Sequence, residues 1–293
     1  MKRITLLLFS ITCYISYGQR DWSSVKITSE KLSDNIHVLY GSGGNIGLAI
    51  GEENAYLIDD QFGPLSEKIL AHVKTITNKP IKWVLNTHWH GDHTGGNENM
   101  AKQGAIVIAH ENVRKRMSVK QDEEGYITEA SVVKALPVIT FNDEMTLYLG
   151  KGNSMHAMHV NDAHTDGDSY YYFPEDNVLH MGDNFFAGRY PYIDLSSGGD
   201  IDGLISNVTM TLGMIDDDTK IIPGHGKVAT KSDLESYKEV LTVLRERVVK
   251  ARLAGNSLEE TQKLGLSKEW DTSHGQGFIN ADRIIEFIYK SAD

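Results

Sequence analysis

The chain has 293 residues, 40% of them hydrophobic and 24% charged, the composition of an ordinary soluble globular protein with enough apolar residues for a sizeable core. Acidic residues outnumber basic ones, 40 to 29, giving a formal charge of −11 that disfavours nucleic acid and anionic membrane as general partners. Past the N-terminus no segment approaches the roughly 20 apolar residues of a membrane span, so stable membrane insertion is not expected.

In chain order the first element is an export signal. Met1-Lys2-Arg3 gives a positive start, Ile4 to Ile15 is mostly apolar, and Ser16-Tyr17-Gly18-Gln19 offers small residues for cleavage near Gly18. A periplasmic or secreted protein is the expectation. Losing Lys2 and Arg3 with the signal takes the formal charge from −11 to −13, two positive charges fewer. The single cysteine, Cys13, goes with it, so no disulfide is expected in the mature chain. A lipidated Cys13 is the weaker reading, because Thr12 is a poor match to the small residue needed before it.

Residues 19–293 contain no low-complexity stretch, no long linker and no tandem repeat, and read as one domain. Short apolar runs bounded by turn residues predict strands at 36–40, 46–50, 55–58, 81–85, 105–109, 169–173, 178–180 and 220–222. Helices are predicted between them. One starts at Gly63-Pro64 and runs to about Thr77; another carries Ile201, Leu204, Ile205, Val208, Leu212 and Ile215 as one apolar stripe. Ser232 with Glu235 and Ser257 with Glu260 read as capping boxes, and Asn280 as the cap of a last helix. Strands recurring before and after helices in both halves predict an α/β protein with layered sheets flanked by helices.

The chemistry concentrates after the strand at 81–85, in NTHWHGDHTGG. His88 and His90 are two residues apart, so in extended chain their side chains point to the same side. Asp92 and His93 follow the turn at Gly91. Imidazole and carboxylate at this spacing suit zinc, which accepts both. Three further candidates follow: His164 in DAHTDGD, Asp183 in LHMGDNF and His225 in IIPGHGK, the last two after predicted strands.

Together these residues resemble the metallo-β-lactamase superfamily. His88, His90, Asp92 and His93 match its HxHxDH signature, and His164, Asp183 and His225 stand in its later ligand motifs in the right order. The resemblance covers nearly all of the mature chain. It implies a four-layer αββα sandwich with two zinc ions per chain at one edge of the paired sheets. His88, His90 and His164 would hold the first ion, Asp92, His93 and His225 the second, and Asp183 would bridge them. Asp59, in YLIDD, would orient the metal loop. A zinc-bound hydroxide would attack a carbonyl or phosphoryl centre, with Asp92 also orienting it or passing a proton to the leaving group.

The family's exported β-lactamases use cysteine where this chain has Asp183, and a lysine where it has Phe186. Asp183 is instead similar to the bridging aspartate of glyoxalase II and the lactonases. The leading reading is a zinc-dependent hydrolase opening a β-lactam or related cyclic amide or ester, with lactone, ester, thioester or phosphodiester hydrolysis as the alternative. A mononuclear iron persulfide dioxygenase and a non-catalytic zinc-binding module are further alternatives. The partner is a small-molecule substrate. Candidate contacts are Arg189, with Lys227 as another receptor for a carboxylate, and the aromatic Phe186 and Tyr190. GSGGN, at 41–45, lacks the following Lys-Ser/Thr of a phosphate loop and is read as a loop near the pocket. Histidines 37, 72, 110, 156, 159, 180 and 274 carry no matched motif.

Overall fold

The computed structural model describes residues 21–123 and 126–292; the expected export signal, with Cys13, lies outside the described residues. A seven-stranded sheet holds β1 (Thr28–Lys31), β2 (Ile36–Tyr40), β3 (Ile46–Ile50), β4 (Ala55–Ile58), β5 (Ile81–Leu85), β6 (Ile106–His110) and, past a two-stranded hairpin of β7 (Gln121–Glu123) and β8 (Tyr126–Thr128), β9 (Ile139–Phe141). A five-stranded sheet holds β10 (Glu144–Gly150), β11 (Asn153–His159), β12 (Ser169–Phe173), β13 (Val178–Phe186) and β14 (Lys220–His225). The helices are α1 (Ser66–Ile76), α2 (Gly91–Thr94), α3 (Asn97–Lys102), α4 (Glu111–Met117), α5 (Ile201–Met214), α6 (Lys231–Leu253), α7 (Leu258–Lys263), α8 (Asp271–His274) and α9 (Ala281–Ser291).

Three apolar layers order these elements into an αββα sandwich. Ile58, Leu85 and Ile108 of the first sheet meet Met155, Ala157, Tyr171, Phe173 and Ile222 of the second. On the outer face of the first sheet, Leu48, Leu57 and Val84 pack against Ile69 and Val73 of α1 and Met100 of α3. On the outer face of the second, Leu179, Met181 and Ile221 pack against α5, α6 and α9 through Leu204, Leu241 and Ile285. Each such side chain contributes about 1.5–3 kcal/mol by leaving water, more than an exposed ion pair. The layers therefore hold both sheets in fixed register.

Strand direction then places the site. β4, β5, β6 and β9 run parallel, as do β13 and β14, so the loops after β4, β5, β13 and β14 emerge at a common edge. Crevices outside the carboxyl ends of parallel strands are where such sheets present functional side chains.

Local sequence explains most boundaries. Pro64 starts a short 3-10 turn at 63–65 that continues into α1. Asp200 caps α5 by accepting from the amides of Asp202 and Gly203. The capping boxes Thr230 with Asp233 and Ser257 with Glu260 open α6 and α7. The first corrects the expected Ser232–Glu235 box. A bridge from Ile221 to Ala229 folds the chain back two residues sooner, so Thr230 already takes the extended cap conformation. No helix among the described residues is long and apolar enough to cross a membrane.

Candidate metal centre

The sequence-predicted ligands meet at this edge. His88, His90, His164 and Asp183 form one group and Asp92, His93 and His225 another; within each group the ligand atoms lie within 4.8 Å of one another. Asp183 touches both. Its Oδ2 is 3.9 Å from His88 Nε2, 3.6 Å from His164 Nε2 and 3.3 Å from His225 Nε2, and its Oδ1 is 3.1 Å from His93 Nε2. Asp92 Oδ2 is 3.3 Å from His225 Nε2 and 3.7 Å from His93 Nε2.

Four ligand imidazoles are oriented from behind. Thr87 Oγ1 donates to Asp59 Oδ2 at 2.7 Å and in turn accepts from His88 Nδ1 at 3.0 Å. His93 Nδ1 donates to Asp59 Oδ2 at 2.7 Å, His164 Nδ1 to the Tyr192 carbonyl at 2.8 Å and His90 Nε2 to Asp194 Oδ2 at 3.0 Å. Each bond fixes a tautomer and leaves the other nitrogen as a lone pair facing the cluster. The expected role of Asp59 thus has its geometry, helped by a left-handed backbone (φ 65°) at the end of β4.

Two glycines make room. Gly182 (φ +52°) breaks the register of β13 with β14, a bulge that redirects Asp183 toward the cluster, and a side chain there would come within 2.6 Å of Thr87. Gly44 lies against the His93 ring, where an added Cβ would sit 2.1 Å from Cε1. The GSGGN stretch thus admits the ligand ring, and Asn45 ties the loop to the other sheet by donating to the carbonyls of Pro223 and Gly226.

The donor set fits divalent cations. His88 Nε2, His93 Nε2 and Asp183 Oδ1 are buried without a hydrogen-bond partner, an arrangement that costs about 1–3 kcal/mol per group unless something else binds them. His93 Nε2 and Asp183 Oδ1 face each other at 3.1 Å; burial opposes charge on His93, but Asp183, Asp92 and Asp59 hold it well above the usual imidazole range, so Nε2 keeps a proton unless a cation takes that place. Donors bound tetrahedrally about 2.0–2.1 Å from zinc lie about 3.3 Å apart, and the separations here, from 2.9 Å between His164 Nε2 and His90 Nδ1 to 3.9 Å, bracket that value. Charge agrees. Burial pushes His88 well below the usual imidazole range and His164 down to about 4, keeping both neutral. Burial opposes charge on Asp183 too, but His225, His93 and His88 hold it well below the carboxylate range. Burial likewise disfavours a charged His225, yet Asp183 and Asp92 raise it to about 9. The carboxylates call for positive charge that a divalent cation would supply in place of protons.

Above the cluster opens a cavity of about 1340 Å³, reached by Asp92, His90, Asp183 and His225. Its walls include Trp89, Phe186, Arg189, Tyr190 and Tyr192. Phe186 stacks on His225 at 5.1 Å. Tyr190 is buried, and its hydroxyl is committed to the Ser267 carbonyl and Asp271 Oδ1. Lys227 is not on these walls; it faces a separate cavity of about 430 Å³ beside His274.

Sequence reasoning missed Asp194, Asp168 and Asn45. Buried Asp168 accepts from the amides of His164 and Thr165, from Thr165 Oγ1 and from Asn184, fixing the His164 loop to β13. Its signal was the last aspartate of DAHTDGD; Asp194 had none, being 104 residues from His90.

Two sheets, outer helices and a His/Asp cluster at their common edge define a metal-binding αββα protein, and the family comparison agrees. The metallo-beta-lactamase superfamily model matches residues 39–247, and the chain belongs to that superfamily as a metal-dependent hydrolase. It is 26% identical over 181 residues to hydroxyacylglutathione hydrolase GloC of Haemophilus influenzae, covering 61% of this chain and 83% of that one. It is 31% identical over 165 residues to the hydroxyacylglutathione hydrolase of a Polaromonas species, where the match spans 53% of this chain and only 54% of the relative. Among solved structures, a metallo-beta-lactamase from Pontibacter korlensis superposes with a TM-score of 0.61 at 20% identity, over 74% of this chain and 99% of that one, a likeness of fold.

Proposed function

We propose that this protein is a dinuclear zinc hydrolase that cleaves a small acyl substrate, with thioesters and activated esters foremost. The observation that carries the two-ion reading is Asp183, whose two oxygens face both ligand groups at 3.1–3.9 Å. His88, His90 and His164 would hold one ion, Asp92, His93 and His225 the other, with Asp183 between them. Bound there, zinc supplies a Lewis acid and a source of hydroxide near neutral pH.

The remaining work falls to the chain. Asp59, Thr87, Asp194 and the Tyr192 carbonyl keep the imidazoles aimed without reorganisation during the reaction. Trp89, Phe186 and Tyr192 limit water around the scissile bond and strengthen electrostatic interactions there. Asp92, at the cavity floor, is held as a carboxylate by His93 and His225 against burial, so it accepts a proton from the attacking water and passes it to the leaving group. The shift from the cyclic amide expected first to thioesters is supported by the hydroxyacylglutathione hydrolase relatives and by an aspartate at 183 where the exported β-lactamases have cysteine. A β-lactam remains the second reading, favoured by the superposition on β-lactamases.

The test is a panel on zinc-loaded protein: a hydroxyacyl thioester, a chromogenic cephalosporin, a lactone and a phosphodiester. Thioester turnover well above the rest is expected. Preferred cephalosporin turnover would move the assignment to the second reading, and no turnover of any member would overturn both.

A further inference from the structure

One wall of the cavity lies outside the matched family span. That span ends at residue 247, yet Phe278, Arg283, Glu286 and Phe287, from the segment around the start of α9, face the cavity. Tyr192 connects them to the cluster. Its ring lies 5.7 Å from His90 and 5.8 Å from His164 on one side, and 6.2 Å from Phe278 and 5.4 Å from Phe287 on the other. Phe278 is 90% exposed, a large apolar side chain held toward solvent at the mouth. An exposed aromatic on a cavity rim gains by covering with an apolar ligand group what it lacks in the free protein.

The charges on this wall are not equivalent. Arg283 is engaged with Glu286 Oε2 at 2.9 Å and stacks over Phe287 at 4.6 Å, while Glu286 also receives Lys290 at 2.6 Å. Arg189 is exposed and makes no side-chain hydrogen bond or ion pair with a described residue. Its backbone is nevertheless fixed. Its amide donates to the Phe186 carbonyl at 3.3 Å, the neighbouring Ala187 amide to His225 and the Tyr190 amide to His274. Its aliphatic stem runs beside Gly277, where an added Cβ would lie 3.4 Å from Cδ. On a chain of charge −11, an uncommitted guanidinium at the cavity mouth is a local attractor for anions.

We propose that Arg189 and Phe278 form the recognition end of the cavity, selecting substrates that carry a carboxylate beside an apolar group, remote from the bond cleaved. This rests on the hydrolase reading of the cluster. The guanidinium receives the carboxylate, and Phe278 with Tyr192 covers the apolar group. Exposed Asp282, also on this wall, would instead favour a cationic substrate, which makes charge selectivity the decisive readout.

The first experiment needs no turnover. Chelator-treated full-length mature protein is titrated with N-dansyl-phenylalanine, its carboxamide and a dansyl amine, followed by probe fluorescence. The acid should bind about tenfold more tightly than the amide, as expected for a charge-assisted pair. Arg189→Met should abolish that preference, Arg189→Lys should restore part of it, and Phe278→Ala should weaken acid and amide alike. Equal binding of acid and amide by the wild type, or preference for the amine, would overturn the proposal, as would a preference surviving Arg189→Met. On zinc-loaded enzyme, Arg189→Met should raise KM for carboxylate-bearing thioesters relative to matched uncharged ones. Acid selectivity without any hydrolysis would sink the hydrolase reading alone, and hydrolysis without acid selectivity would sink only this one.

Discussion

Asp194 offers the sharpest test of how the metal centre is held, because it touches a ligand without belonging to the cluster. Its Oδ2 accepts from His90 Nε2 at 3.0 Å, and its Oδ1 accepts from Ser196 Oγ at 2.6 Å and the Ser197 amide at 3.1 Å. Burial opposes its charge, but His90 and these serines hold it far below the usual carboxylate range. Asp194→Asn keeps the size and an acceptor for the turn while removing the charge that orients His90. Partners of this kind are worth about 10–100-fold in metal affinity, or about 1.4–2.7 kcal/mol. Competition with a chromophoric chelator should therefore show one ion weakened by that factor and the other bound as in wild type, with thermal unfolding of the metal-free protein shifted little. Two ions weakened equally, or neither, would refute the separation of the cluster into two groups with His90 serving one.

Asp59→Asn, whose asparagine tolerates the left-handed backbone, should weaken the ion of the His93 group by about 10–100-fold, because Asp59 orients His93 directly at 2.7 Å, and should weaken the other ion less, because it reaches His88 only through Thr87; chelator competition reads both. Phe173→Ala, between the sheets at 1% exposure, should cost about 3–5 kcal/mol in urea unfolding with the slope preserved. His110 is held down at about 4, first by burial and then by the His159 ring stacked 3.6 Å away, so the unfolded chain takes up this proton before the folded one does. Its contribution to stability is present above about pH 6.5 and lost as pH falls toward 4; His110→Asn, which retains an acceptor for the α4 cap, should flatten that limb in unfolding curves across this range.

The candidate ligands were legible because they sit in short motifs, most of them following a strand, and the apolar runs at 36–40, 46–50, 55–58 and 81–85 are strands with those bounds. What escaped was set by tertiary contact. β10 and β11 were not predicted, although Met145, Leu147 and Leu149 alternate with exposed Glu144, Thr146 and Tyr148; that polar face and the histidines of β11 diluted the apolar signal. β13 runs on through Asp183 to Phe186 because its whole length is buried, so polar Asp183 and Asn184 look like a strand end in sequence only. Asp194 and Tyr192 serve His90 and His164 from across the fold, and no spacing rule announces such a partnership. Phe278 gave no signal either, since an exposed aromatic acquires meaning only beside Tyr192 and the cavity.

The central claim is that Asp183 joins two ion sites, and metal stoichiometry tests it most directly. Metal-free protein, titrated with zinc by calorimetry and assayed by elemental analysis after desalting, should take up two ions per chain, and Asp183→Ala should fall toward one while losing most hydrolysis. A wild type saturating at one ion, or an Asp183→Ala protein that still holds two and turns over normally, would contradict the account.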